Sequence, residues 1–407
     1  MKKYFLAVAS FFIYSHISLG QVYPGQMDST FVPVRSHHYD PELTFDFCVN
    51  EPAWSNQAGI HSAFGSTDRL YFRKEVPVNH DNDLSSSYST TVWRGERANA
   101  QILVWSSEAL EQVRVSTQDL RSAEGNIIPK DRITFELVRY VLSNYPYAEK
   151  KAICGESPYK SGFLMPDRFE TLDRFDLPSQ TTRPVWMMVD VPRGTAPGTY
   201  KGQVEVRAKG KAPQLLNLEI VVQNQLLPYP KDWKYRLDLW QNPWAVAWYN
   251  HVEPWSPEHK MLLKQHLKHY ADAGGTYITT YGVHSPWSDN SYMIEGGMIE
   301  WIKKADGTWA FDYKIFDEYV ELAMECGINE AITLYTPIPW GFRHRYKDEA
   351  TGDYSYINWA PSSEEFKKMW NIFLTDFKFH LEAKSWLDIT YIGINENPME
   401  ETLAAIN

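Results

Sequence analysis

The sequence predicts two architectures in series: an antiparallel β-sandwich, then about the first four βα units of a (β/α)₈ TIM-type barrel. Three observations predict it. Up to about residue 225 the apolar residues come in short alternating runs separated by Gly and Pro turns. Beyond a Pro-rich joint at 226–232 (LLPYPKD), strand-like runs alternate with helical spacing, which implies a parallel sheet. Each of those later runs ends in polar and aromatic residues, and the carboxyl face is where such barrels carry their chemistry.

Residues 1–20 are set apart. Lys2 and Lys3 precede an apolar stretch at 4–14 that is too short to span a bilayer, and Ser18 and Gly20 offer a small-residue cleavage site. The expectation is an export signal, a periplasmic or secreted protein, and a mature chain starting near Gln21. No later segment reaches about 18 consecutive apolar residues, so no membrane span is expected in the mature chain.

The sandwich is expected over 21–227. Its strands are read at 91–97 (TVWRGER), 100–105 (AQILVW), 113–115 (VRV), 185–191 (VWMMVDV), 200–206 (YKGQVEV) and 216–222 (LNLEIVV), with GTAPG at 194–198 as a turn. Two prolines at 228 and 230 bar both helix and central strand and mark the linker. The barrel portion then occupies 228–407. A first strand is read at 235–240. Ser256 caps a helix with Pro257 at its first position, and Gly274-Gly275 closes it. Residues 276–281 are a second strand, and Phe316, Tyr319, Val320 and Ala323 mark a helix ended by Gly327. Residues 330–335 are a third strand. Ser362 with Glu365 reads as a capping box ahead of Phe366, Met369, Trp370, Phe373 and Phe377. A fourth strand at 387–394 leads to a helix from Met399.

Composition narrows the function. With 51 acidic and 40 basic residues the net charge is −11, and no basic stripe appears, so nucleic acid is excluded as a partner. Sixteen Trp and 25 Tyr can fill cores, and they can also stack on the apolar faces of sugars. Cys48, Cys154 and Cys326 have neither metal nor redox spacing, and no His/Asp/Glu cluster has ligand spacing, so no metal and no cofactor is expected.

The chemistry converges on YIGINENP at 391–398. Glycoside hydrolysis needs an acid at the leaving oxygen and support for an oxocarbenium-like transition state. Glu396, past the end of an apolar strand, suits the acid; it equally suits a solvated carboxylate. Neighbours on a regular strand point to opposite faces, so Asn395 and Glu396 serve one substrate only if the chain bends there, as Pro398 suggests. Two mechanisms fit. In one, a substrate 2-acetamido group attacks the anomeric carbon; in the other, Asn395 meets a sugar 2-hydroxyl and a nucleophile comes from a later strand. Around the pair, Gln241 and Asn242 either bind a hydroxyl or close the first βα turn. Trp240, Trp287 and Trp340 are stacking or packing rings. His284 is a sugar contact, and Tyr335 either donates to the acetamido oxygen or is a buried ring with its hydroxyl paired.

WQNPWAVA at 240–247 followed by WSPEH at 255–259 resembles the first barrel strand and helix of glycoside hydrolase family 123. WRGERANAQ at 93–101, RPVW at 183–186 and GTYKG at 198–202 resemble that family's N-terminal sandwich. DGTWAFDY at 306–313, Phe316-Asp317 and Pro339-Trp340 resemble its second and third barrel units. The resemblance implies a retaining N-acetyl-β-galactosaminidase with substrate-assisted catalysis, acting on an N-acetylgalactosamine-containing glycan or glycolipid. It implies Glu396 as general acid/base. The family's orienting Asp falls on Asn395, a departure that removes a negative charge and predicts weak hydrolysis. The family's barrel continues beyond four units, so a fragment of a longer protein is expected. A carbohydrate-binding homologue without catalysis, or a barrel glycosidase with its nucleophile beyond residue 407, are the alternatives.

Overall fold

The computed structural model describes residues 51–77, 84–143, 163–286 and 296–406, with the short strands Met27–Asp28, Phe31–Pro33 and Glu42–Leu43. The expected export signal, Cys48, Cys154 and Trp287 lie outside the described residues. The chain divides into two compact units, Met1–Leu227 and Pro228–Asn407.

In the first unit a five-stranded sheet runs in the order Phe163–Glu170, Ile133–Ser143, Thr181–Asp190, Arg97–Ser106, His61–Gly65. A second, eight-stranded sheet is built on the order Phe31–Pro33, Leu172–Leu177, Leu110–Thr117, Gly198–Arg207, Gln214–Leu226, Ser87–Arg94. Period-two alternation explains what is buried. Tyr200, Val204 and Val206 face inward on one strand, and Leu216, Leu218, Ile220 and Val222 on its neighbour. They share one core with Ile102, Val104, Met187 and Val189 of the other sheet. The run read at 91–97 is two strands split at Gly95, whose φ of 84° suits glycine. One pair corrects the expectation of a purely antiparallel sandwich: Ser87–Arg94 runs parallel to Gln214–Leu226. Alternation sets which face of a strand is buried; it carries no information about the direction of its neighbour.

The second unit holds a three-stranded parallel sheet in the order Tyr277–Tyr281, Ala331–Tyr335, Thr390–Gly393. Tyr281 is paired with Tyr335, and Tyr335 with Gly393, so the strand ends are level. The sheet is open. The expected strand at 235–240 is absent as a regular strand and makes one parallel bridge, Leu237 to Gly275. The reason is a side chain that takes over the backbone groups. The Tyr270 hydroxyl lies 2.7 Å from Leu237 O and 2.9 Å from Tyr277 O, and accepts the Leu239 N–H at 3.3 Å. A Cβ on Gly275 would stand 2.2 Å from the Tyr270 ring, so only glycine fits beneath it.

Helices Pro257–Asp272, Lys314–Glu325, Glu364–Lys384 and Met399–Ile406 alternate with the strands. Ser256 accepts the His259 N–H at 3.2 Å, as its position before Pro257 predicts. The cap of the long helix is Ser363, not Ser362. Ser363 Oγ accepts the Phe366 N–H at 3.1 Å, three residues on, and Glu364 and Glu365 fall in the first turn, where carboxylates suit the helix dipole. Residues 387–389 form a 3-10 turn, so the last strand is shorter than read.

Four strands were missed. Glu300–Lys303, Trp309–Asp312, Arg343–Asp348 and Tyr354–Asn358 form a separate sheet out of the loops after the first two parallel strands. They are short and mostly half-exposed, so they lack the alternation that marks a strand. Beneath them Trp301, Trp359, Trp370, Phe373 and His344 form an aromatic core. Much of the tryptophan excess is spent here on packing.

His344 in that core makes stability pH-dependent. Its Nδ1 lies 3.0 Å from Phe342 O and its Nε2 accepts the Trp370 indole N–H at 3.3 Å, which selects the neutral ring. Burial pushes its pKa from 6.5 to about 4. Between those values the unfolded chain holds a proton that the folded chain refuses. Stability therefore falls as pH drops through that window and levels off below it, by about 3 kcal/mol in all. Urea midpoints measured from pH 7 to pH 4 should slope steeply in the native protein and distinctly less in His344→Gln. Equal slopes would remove His344 from the account.

Candidate active site at the carboxyl end of the parallel sheet

The pair at 395–396 sits between the end of strand Thr390–Gly393 and the start of helix Met399–Ile406, with Pro398 at the bend. Asn395 is 5% exposed and held on several sides. Its Oδ1 accepts the Tyr335 hydroxyl at 2.8 Å and the Glu396 N–H at 2.7 Å. Its Nδ2 donates to Ile338 O at 3.3 Å, and its own N–H donates to Thr336 Oγ1 at 3.1 Å. Both oxygen lone pairs are used, so this amide has no spare acceptor for a ligand. Donation to the Ile338 carbonyl is a task for an amide rather than a carboxylate.

Glu396 is the opposite. Its side chain is exposed, and no protein group among the described residues is hydrogen-bonded to its carboxylate. The strand rule holds through the bend: one neighbour points in, the next points out. The free carboxylate is thus carried on a backbone clamped by its neighbour's amide oxygen.

Tyr335 is buried at 1% exposure with its hydroxyl committed to Asn395. Trp240 covers it, with ring centroids 4.9 Å apart at 44°, and stays 48% exposed. Trp240, Tyr335, Asn395 and Glu396 therefore form one connected group. Gln241 and Asn242 are anchored. Gln241 O accepts the Tyr281 hydroxyl at 2.9 Å and its Oε1 faces the Tyr319 hydroxyl at 3.4 Å; Asn242 Oδ1 caps helix Pro243–Asn250 through Ala245 N–H at 3.3 Å. Of the two readings for Asn242, closing the turn is the one with a bond.

His284 and Trp340 lie on the loops after the first two parallel strands, and Trp340 N–H reaches Pro286 O at 3.4 Å. Neither has a hydrogen bond or ring contact to the Trp240–Glu396 group. Burial, then the charges of Arg345 and Arg343, lower the His284 pKa to about 4, so its ring is neutral at pH 7. It can bind through hydrogen bonds but brings no proton donor charge. Sequence reasoning missed Thr336, the Ile338 carbonyl and Asn397, whose Nδ2 also donates to Ile338 O at 2.8 Å. Backbone acceptors leave no trace in residue identity, and only TPIP at 336–339, a turn, hinted at a special loop. Among the described residues no group of His, Cys, Asp and Glu is arranged to hold a metal, and no helix is long and apolar enough to cross a membrane.

Two domain families match: the glycoside hydrolase 123 catalytic domain over residues 240–407, and the glycoside hydrolase 123 N-terminal domain over residues 64–208. A family 123 glycoside hydrolase from Clostridium perfringens, whose structural analysis concerned glycolipid glycan hydrolysis, superimposes with a TM-score of 0.75 and 26% identity. The match covers 86% of this chain and 60% of that one, so the chain spans about three-fifths of the length of that structure. The PapD-like domain of human CEP192 is 12% identical with a TM-score of 0.19, over 46% of this chain and 99% of that one, and supports nothing further. No curated protein matches. The matches place the chain among the glycoside hydrolases. It belongs to glycoside hydrolase family 123.

Proposed function

We propose that this chain is the sandwich and first barrel portion of an exported glycosidase that releases terminal N-acetyl-β-galactosamine from glycans or glycolipids with retention. Residues 21–227 form the accessory sandwich, and 228–407 contribute to a (β/α)₈ catalytic barrel. The observation that carries the reading is the free, exposed carboxylate of Glu396, just past the end of strand Thr390–Gly393 and held on the Asn395–Tyr335–Trp240 group.

In this mechanism the 2-acetamido carbonyl oxygen attacks the anomeric carbon while Glu396 protonates the departing glycosidic oxygen. The bond to the aglycone breaks and an oxazolinium ion forms. Glu396, now a carboxylate, takes a proton from water, which opens that ion from the original face and leaves the sugar in its β configuration. Trp240 offers an apolar ring face to the sugar. Asn395 works as a positioning residue, fixing the Glu396 backbone.

The test compares an alkyl N-acetyl-β-galactosaminide with the matching β-galactoside. The acetamido substrate should be cleaved at least about a hundredfold faster, a difference of about 3 kcal/mol. Equal rates would refute the substrate-assisted route. One observation favours a second reading: the neutral Asn395 amide brings no negative charge to the site. If calorimetry shows N-acetylgalactosamine binding without any turnover, the chain is a carbohydrate-binding homologue.

A further inference from the structure

A groove of about 610 Å³ lies between the four-stranded excursion sheet and the first turns of helix Glu364–Lys384. Trp309, Tyr346, Trp359, Lys303, Glu365 and Lys368 are among its lining residues, and neither Asn395 nor Glu396 is. Its volume falls within the range of small-molecule sites.

Trp359 is the telling residue. Its ring is 5% exposed and packs against Trp301, Trp309 and His344 at 6.1, 6.2 and 4.8 Å. The other two buried indoles of this cluster are satisfied: Trp301 donates to Gly282 O at 2.9 Å, and Trp370 to His344 Nε2 at 3.3 Å. The Trp359 indole N–H meets no acceptor among the described residues, yet it is not sealed inside the protein. A donor so placed is met by water or by an acceptor on a bound molecule.

The rest of the lining says what that something is. Trp309 and Tyr346 stand edge to face at 5.2 Å and 66° and are only half-buried, so ring surface opens to the groove. Lys368 has no carboxylate partner among the described residues, and Glu365 has no cation, although both are exposed one turn apart on the same helix. An apolar ligand would make no use of these polar groups. A phosphate or carboxylate would sit against Glu365. A neutral ring with an apolar C–H face and hydroxyls that both donate and accept satisfies all of them.

We propose that this groove is a second saccharide-binding site. A neutral sugar ring stacks on Trp309 and Tyr346, one hydroxyl accepts from the Trp359 indole N–H, and others bridge Glu365 and Lys368. The site does not depend on Glu396 being a catalyst.

The experiment follows the indole ¹⁵N–¹H resonance of Trp359, assigned with Trp359→Phe, during titration with N-acetylgalactosamine and with galactose. The signal should move saturably. Lys368→Ala and Trp309→Ala should each weaken binding at least about fivefold, whereas Glu396→Gln should leave it unchanged while hydrolysis is lost. Lys368 is on the surface, so that variant is expected to fold even where Trp309→Ala does not. A Trp359 resonance unmoved at roughly 100 mM sugar, or an affinity indifferent to Lys368→Ala but lost in Glu396→Gln, would overturn the proposal.

Discussion

Glu396→Gln is expected to slow cleavage of an alkyl N-acetyl-β-galactosaminide by about 10²–10⁴, the usual worth of a positioned general acid. The amide keeps the shape and the backbone bond to Asn395 Oδ1 at 2.7 Å, so the fold should be untouched. Leaving-group dependence separates chemistry from mere binding. A nitrophenyl aglycone departs without needing a proton, so its first step should suffer far less than that of an alkyl glycoside. Measured side by side, the two substrates should diverge in the variant. If both fall equally, Glu396 binds substrate without moving a proton; if neither falls, the acid lies elsewhere.

Asn395→Asp is expected to work in two directions at once. A carboxylate retains the two bonds to Tyr335 and Glu396, and it adds a negative charge beside the developing oxazolinium cation. Such electrostatic support is commonly worth about 3–4 kcal/mol, so kcat/KM should rise about a hundredfold or more. The second oxygen, however, replaces an N–H that now donates to Ile338 O at 3.3 Å. Two acceptors then face each other in a buried place, at a stability cost of about 1–3 kcal/mol. Faster turnover with a lower unfolding midpoint is the predicted signature. A well-folded variant with no gain in rate would retire the idea that charge at this position limits the reaction.

Most of the fold was legible because long apolar patterns carry their own period. Strand Gly198–Arg207 and helix Lys314–Glu325 show it plainly: each buries the residues its spacing selects, Tyr200, Val204 and Val206 in one, Phe316, Tyr319, Val320 and Ala323 in the other. The segment at 235–240 misled because YRLDLW alternates like a strand, while its backbone is claimed by the hydroxyl of Tyr270, some thirty residues away in sequence. The excursion strands were invisible for the contrary reason. Tyr354–Asn358 buries no residue, so no pattern was there to read. At the site, residue type announced Glu396. It said nothing of Thr336 or the Ile338 carbonyl, whose roles exist only once two distant loops meet.

That meeting of loops has a consequence for anyone who would redesign this chain. The carbonyl of Ile338 receives the side-chain amides of both Asn395 and Asn397, and Thr336 receives the backbone of Asn395. The turn that carries Trp340 and the turn that carries the acid are thus sewn together at three stitches. A change of sugar preference introduced in one turn will be paid in the alignment of the other, so the two must be varied jointly in any library.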